Sequence, residues 1–284
     1  MIPAAFDYVA PSTVDDAVRA LAEAGEDAKV LAGGQSLIPV LRMRLSAPTK
    51  LIDLGRVAAM RGIRDDGDVI VIGAMTTHYD VQRDPLVTEH ARLIQVATDK
   101  VADPQVRHRG TFGGSLAHAD PAGDLLAPAL AMDATFVVSG MDGRRVIPAA
   151  DFFVDYFTTA LKADELLVEV RIPKHTGWTA HYEKFNRVAQ SWSIVGVAAT
   201  VRAEGGTITE ARVALTNMAP VPVRARSVEE ALVGKPATAD TIKAAAAHAA
   251  DGTAPTTDAN ADPAFRQHLA RVLTGRALTA AAGV

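Results

Sequence analysis

Two bends made of adjacent glycines constrain this chain more than any other feature, because each follows or opens a predicted regular element. The first, Ala32-Gly33-Gly34-Gln35-Ser36, lies between the short apolar run 28–32 and Leu37-Ile38-Pro39-Val40-Leu41. The second is Thr111-Phe112-Gly113-Gly114-Ser115, followed by Leu116-Ala117-His118-Ala119-Asp120-Pro121-Ala122-Gly123-Asp124. Adjacent glycines permit positive φ and let backbone N–H groups approach an anion without side-chain obstruction. A tight turn with no ligand is the plainer reading of either bend alone. Neither matches Gly-x-Gly-x-x-Gly or Gly-Lys-Ser/Thr spacing, so nicotinamide binding on a Rossmann half and nucleotide hydrolysis lose their best support.

The surrounding pattern predicts an α+β protein. Val14, Ala17, Val18, Leu21 and Ala22 share one helical face behind Ser12 and Thr13, with Asp15 and Asp16 at capping-box positions and Gly25 as the stop. Runs 28–32 and 51–54 read as buried strands. A second lobe carries a strand at 69–72, a helix across 86–98, a hairpin through Met141-Asp142-Gly143 and a strand at 166–172 ended by Pro173. A third region holds strands at 194–202 and 207–215 joined by Glu204-Gly205-Gly206, helices from Ser227 onward, a mobile loop near Thr253 to Thr257 and a last helix over 263–280. The expected divisions are 1–55, 56–176 and 177–284.

Composition removes several functions. The chain has no cysteine, so disulfides, cysteine-ligated iron–sulfur clusters and thiol nucleophiles are absent from it, and redox chemistry requires a borrowed cofactor. Thirty-three acids against 29 bases, with no long run of like charge, give no nucleic-acid footprint. No stretch approaches the ~20 apolar residues of a membrane span, and the start lacks a basic and apolar leader, so a cytoplasmic location is expected. No Gly-x-Ser-x-Gly elbow marks a serine hydrolase. His118 and Asp120 lack a third metal ligand nearby, which favours a turn closed at Pro121 over a metal site. Asp124 is read either as a ligand contact or as the N-cap of the helix that follows.

Taken together, the two bends resemble the FAD-binding medium subunit of the carbon monoxide dehydrogenase and xanthine dehydrogenase family of molybdenum hydroxylases. Ala-Gly-Gly-Gln-Ser-Leu-Ile-Pro at 32–39 is similar to its first flavin loop, and Arg-Gly-Thr-Phe-Gly-Gly-Ser-Leu-Ala-His-Ala-Asp-Pro-Ala-Gly-Asp at 109–124 to its second. The likeness runs over essentially the whole chain, including Ala-Leu-Thr-Asn-Met-Ala-Pro-Val-Pro-Val-Arg-Ala at 214–225. It implies a two-lobed FAD-binding region of the vanillyl-alcohol-oxidase-like (PCMH) type, followed by a C-terminal α/β domain.

Several residue roles follow from that resemblance alone. Ala32, Gly33, Gly34, Gln35 and Ser36, with Thr111, Phe112, Gly113, Gly114 and Ser115, would contact the FAD diphosphate and adjoining groups through backbone donors. Lys29, Val30 and Leu31 would line the approach, Asp124 would bind FAD, and Ala102, Leu167 and Lys184 transfer by position. Gln190-Ser191-Trp192-Ser193 departs from an aspartate and tyrosine common in relatives, so Trp192 either stacks on the isoalloxazine or only packs in a strand. Gln35 and Ser115 replace a histidine and an asparagine found in some members.

The resemblance also implies partners: a large subunit holding the molybdenum cofactor, a small subunit with two [2Fe–2S] clusters, and a dimer of heterotrimers. This chain would relay electrons through FAD to an external acceptor and carry no catalytic acid or base. A self-contained FAD oxidoreductase of the same fold and a flavin-free scaffold are the competing expectations.

Overall fold

The computed structural model describes residues 2–284. Its first layer is a three-stranded parallel sheet in the order Asp7–Val9, Lys50–Asp53, Ala28–Leu31. The helix Val14–Ala24 makes the crossover and buries Val14, Ala17, Val18 and Leu21 against it. Its start is a capping box built with aspartate: Thr13 Oγ1 accepts from Asp16 N at 3.1 Å and donates to the Asp16 carboxylate at 2.7 Å. Gly25, at φ 70°, ends the helix.

The second layer is an antiparallel sheet in the order Ile63–Asp66, Val69–Gly73, Leu166–Pro173, Thr135–Gly140, Gly143–Pro148. The expected hairpin is present, with Gly143 at φ 103° where its turn requires positive φ. The helix expected over 86–98 is instead two, Pro85–His90 and Arg92–Thr98, broken at Ala91. Val87, Ala91 and Ile94 keep helical spacing across the break, so the apolar pattern does not register it. Ala91 leaves helical dihedrals (φ −137°, ψ 46°) while remaining fully buried, and each segment buries its own residues. Packing overrides the local period there.

The third sheet is antiparallel, in the order Thr179–Phe185, Val195–Glu204, Thr207–Thr216, Val223–Arg224. Its first strand is not apparent from sequence, because only Tyr182 of its seven residues is fully buried and His181, Glu183 and Lys184 dilute the apolar alternation. Along Val195–Glu204 the sheet serves two cores. Val195, Val197, Ala199 and Val201 face the helices of the C-terminal region, while Ala198 joins the core of the first two layers. The final helix, Pro263–Ala282, is capped by Asp262 and ended by Gly283 at φ 71°. The segment before it is irregular, as expected, but tethered: Ala254 N donates to Met218 O at 2.9 Å, and Arg266 reaches Asp258 at 2.7 Å. Among the described residues, no helix is long and apolar enough to cross a membrane.

Candidate functional site

The Ala28–Leu31 strand delivers the first glycine bend to the edge of the parallel sheet, and the helix Leu37–Arg42 carries the chain away. A Cβ on Gly33 would sit 2.3 Å from Arg109 O and 2.6 Å from Gly110 Cα, so the two bends touch through backbone that only glycine permits. Gly34 adopts φ 75°. The carbonyls here are occupied: Gly34 O by Ile38 N at 3.0 Å, Ser36 O by Val40 N, and Gly33 O by the Gln35 side chain at 3.2 Å. The amides are not. Among the described residues, no acceptor takes the N–H of Gly33, Gly34, Gln35 or Ser36. Successive unpaired N–H groups at a bend make a concave, partly positive surface suited to an anion. Lys29 is exposed beside it, and Val30, Leu31 and Ala32 are half-buried.

The second bend does different work from the one expected. Thr111 caps the helix Phe112–His118, and the amides that follow are engaged inside the fold. Phe112 N donates to Thr76 O and Gly113 N to Ala74 O, both at 2.9 Å, while Gly114 N and Ser115 N donate to Thr111 Oγ1 and O at 3.2 and 3.0 Å. The expectation that residues 112–115 present backbone donors is therefore corrected; only the Thr111 amide is unengaged. Gly113 is a packing glycine, since a Cβ there would lie 2.4 Å from Ala74 Cβ. Gly114 closes the contact between bends, its position for a Cβ being 3.1 Å from Ala32 Cβ. Phe112 has no exposed surface and belongs to the core, so its side chain is not offered to a ligand. Leu167 is likewise a core residue. The first bend supplies donors, and the second supplies a rigid wall.

Beyond the second bend, Asp124 sits at the centre of a buried polar cluster spanning two sheets. Its carboxylate accepts from Lys184 Nζ at 2.7 Å, Tyr182 OH at 2.9 Å and Ser193 Oγ at 2.8 Å. Burial pushes the Asp124 carboxyl up, and the Lys184 ammonium together with the Ser193 and Tyr182 hydroxyls pulls it back. Burial beside this carboxylate also raises the Tyr182 phenol well above its ordinary value. Asp124 is not an N-cap, because the next helix starts at Leu126 and Leu125 holds that position. Lys184 also donates to Lys100 O at 3.1 Å, which ties in the turn bearing Ala102 at φ 42°. Tyr182 and Ser193 escaped the sequence reading. Tyr182 shares a strand face with Lys184, a relation visible only once 179–185 is known to be a strand.

Trp192 lies outside the strand that begins at Val195 and is 55% exposed, so it has no strand-packing role. Next to it, Ser193 N donates to Ala122 O at 3.4 Å. His118 and Asp120 both have fold-internal partners: the His118 ring packs on Phe157 at 5.2 Å, and Asp120 accepts from Ala122 N at 2.9 Å. Two surface depressions of about 480 and 550 Å³ lie on the C-terminal helices and near the 177–180 linker, and neither is lined by the glycine bends.

Comparison with known proteins agrees over the full length. Residues 4–175 match the FAD binding domain in molybdopterin dehydrogenase, and residues 180–281 match the CO dehydrogenase flavoprotein C-terminal domain. The carbon monoxide dehydrogenase medium chain of Hydrogenophaga pseudoflava is 41% identical, covering 99% of this chain and 98% of its own. The xanthine dehydrogenase FAD-binding subunit of Escherichia coli O157:H7 is 30% identical, covering 96% and 95%. Among solved structures, carbon monoxide dehydrogenase from H. pseudoflava superposes with a TM-score of 0.95 at 42% identity, covering 99% of this chain and 98% of that one. Quinoline 2-oxidoreductase from Pseudomonas putida 86 gives 0.95 at 33% identity, covering 100% and 99%.

Proposed function

The chain belongs to the family of FAD-binding medium subunits of molybdenum hydroxylases, and from that membership we propose that its first glycine bend holds the FAD diphosphate while the Asp124 cluster fixes the neighbouring wall of the cleft. The observation that carries this reading is the set of unpaired amides at Gly33, Gly34, Gln35 and Ser36, backed by a Gly33 position where any Cβ would strike Arg109 O. That donor set fits a diphosphate: it is anionic, and hydrogen bonds to charged groups gain more than neutral ones.

Bound FAD supplies the capacity to accept electrons singly and surrender them in pairs. This chain binds and orients. Lys29 adds positive charge at the mouth, Val30, Leu31 and Ala32 shape the approach, and Thr111 and Ser115 add polar groups from the wall. Ala102, Asp124 and Lys184 present the far side, with Tyr182 and Ser193 holding Asp124 in place. Trp192 offers an exposed aromatic face suited to a planar ring. The chain acts as the electron-transferring flavoprotein of an oxidoreductase whose large partner carries the molybdenum cofactor and whose small partner carries the iron–sulfur clusters. Assembly as a dimer of heterotrimers and a cytoplasmic location complete the proposal.

Purification with the partner subunits, followed by flavin, iron and molybdenum analysis, tests it. Ser36→Pro removes one donor without touching the Gly33–Gly110 contact, and FAD affinity is expected to fall roughly 10- to 100-fold with the fold intact. Gly33→Val should empty the site. Unchanged flavin content in both variants refutes the diphosphate assignment. Substrate turnover by the isolated chain would point instead to a self-contained oxidoreductase, and a colourless chain after incubation with FAD to a scaffold.

A further inference from the structure

One short hairpin stands out from the rest of the surface. Strands Phe153–Asp155 and Thr158–Thr159 meet at Tyr156-Phe157, and the turn exposes three large apolar side chains: Val154, Tyr156 and Phe157, the last at 57%. Phe157 is held at φ 50°, a conformation that a bulky residue adopts at a cost. Glycine or asparagine would serve this turn better, so an aromatic here points to a role for the ring that the isolated fold does not explain. The ring's one aromatic neighbour is His118, 5.2 Å away, and Tyr156 OH reaches Thr256 Oγ1 at 3.3 Å.

The hairpin does not stand alone. Phe157 N donates to Ala119 O, and three residues further along the same segment Ser193 N donates to Ala122 O, setting Trp192 on the other side of it. Trp192 is 55% exposed, and Val188 beside it and Phe265 at the start of the last helix are exposed as well. Exposed aromatics grouped on one face mark protein–protein contact surfaces, where Trp, Tyr and Phe are enriched.

We propose that this face, with Phe157 and Tyr156 as its anchors, is the docking surface for the iron–sulfur subunit. The proposal rests on the flavin reading above and names the partner of that same site. Position selects the occupant. The helix Phe112–His118 joins the second glycine bend directly to this face, and its seven residues span about 10 Å. This chain has no cysteine to hold a cluster, so electrons must arrive from another polypeptide. Electron transfer between chains weakens steeply with distance, so the cluster-bearing chain must sit beside the flavin cleft. The molybdenum subunit, which hands its electrons to the clusters, is under no such constraint.

The test uses the tagged chain co-expressed with its partners, comparing wild type with the double variant Tyr156→Ser/Phe157→Asn. Asparagine tolerates positive φ, so the variant should fold at least as readily. Val233→Ser, an exposed apolar site beyond the opposite end of the third sheet, is the control. Flavin per chain is expected to be unchanged, while affinity for the iron–sulfur subunit, read from co-purifying iron, falls roughly tenfold or more in the double variant only. Retention of iron at wild-type level overturns the proposal, as does loss of the molybdenum subunit with iron retained. Flavin content reports separately on the underlying assignment: a wild-type chain that carries iron partners but no FAD overturns that reading and this one with it.

Discussion

Replacing Lys184 by methionine isolates the energetics of the Asp124 cluster. The ammonium and carboxylate are 2.7 Å apart with side chains only 5% and 4% exposed, so neither falls back on water when the other is removed. Breaking a buried pair from one side costs about 3–5 kcal/mol, because a desolvated charge is left behind. Here Asp124 keeps the Tyr182 and Ser193 hydroxyls, which places Lys184→Met at the lower end, about 3 kcal/mol. For a chain of this length, unfolding entropy near 2.1 cal/mol/K per residue converts that into a drop in Tm of about 5 °C. Removing both charges, as Asp124→Leu with Lys184→Met, should recover most of the loss. Thermal unfolding of the flavin-free protein, at a pH where the carboxylate is ionised, reads all three variants without interference from cofactor binding. The sign with pH is fixed too. A carboxyl whose folded pKa is raised loses native stability as pH rises from its unfolded value through its folded one, and without Lys184 that loss must extend to higher pH. If the double variant is as unstable as Lys184→Met, the buried charge is not the cause and the reasoning fails.

His78 is fully enclosed against Gly110, and burial first, then the nearby Arg107, lowers its pKa from 6.5 to about 4. Below pH 6.5 the unfolded chain binds a proton that the folded one refuses, so stability should fall by about 3 kcal/mol as pH drops from 6.5 to 4, and urea unfolding of His78→Leu should show a shallower slope there. Asp258 is partly desolvated, yet the Asn260 and Ala261 amides and the Arg266 guanidinium hold its pKa below the ordinary value, so that contribution disappears as pH falls through the acid range. Arg266→Met should abolish this acid-side dependence and also leave Ile194 O without its buried donor, lowering Tm at neutral pH. Phe157→Asn, measured on the isolated chain, should be neutral or stabilising by up to about 1 kcal/mol because positive-φ strain is relieved; a clear loss of stability would show that the ring is structural.

What the sequence determined by itself was local. Thr13 and Asp16 wrote the first helix start, Gly143 the hairpin, Asp262 and Gly283 the two ends of the last helix, because caps and turns depend on residues a few positions apart. The Gly33-Gly34 bend was legible for the same reason: its freedom and its open amides belong to one short stretch. The family resemblance supplied the cofactor and the partners, which no periodicity carried. Tertiary structure decided the rest. Gly113 and Phe112 looked like a second set of donors until Ala74 and Thr76, from the end of another strand, took their amides. Asp124 looked like a cap until Tyr182, Lys184 and Ser193 arrived from a different sheet to enclose it. In each case the deciding partner lies 36 or more positions away along the chain. A backbone amide's availability and a carboxylate's solvation are set by whatever packs against them, and only the folded chain settles what that is.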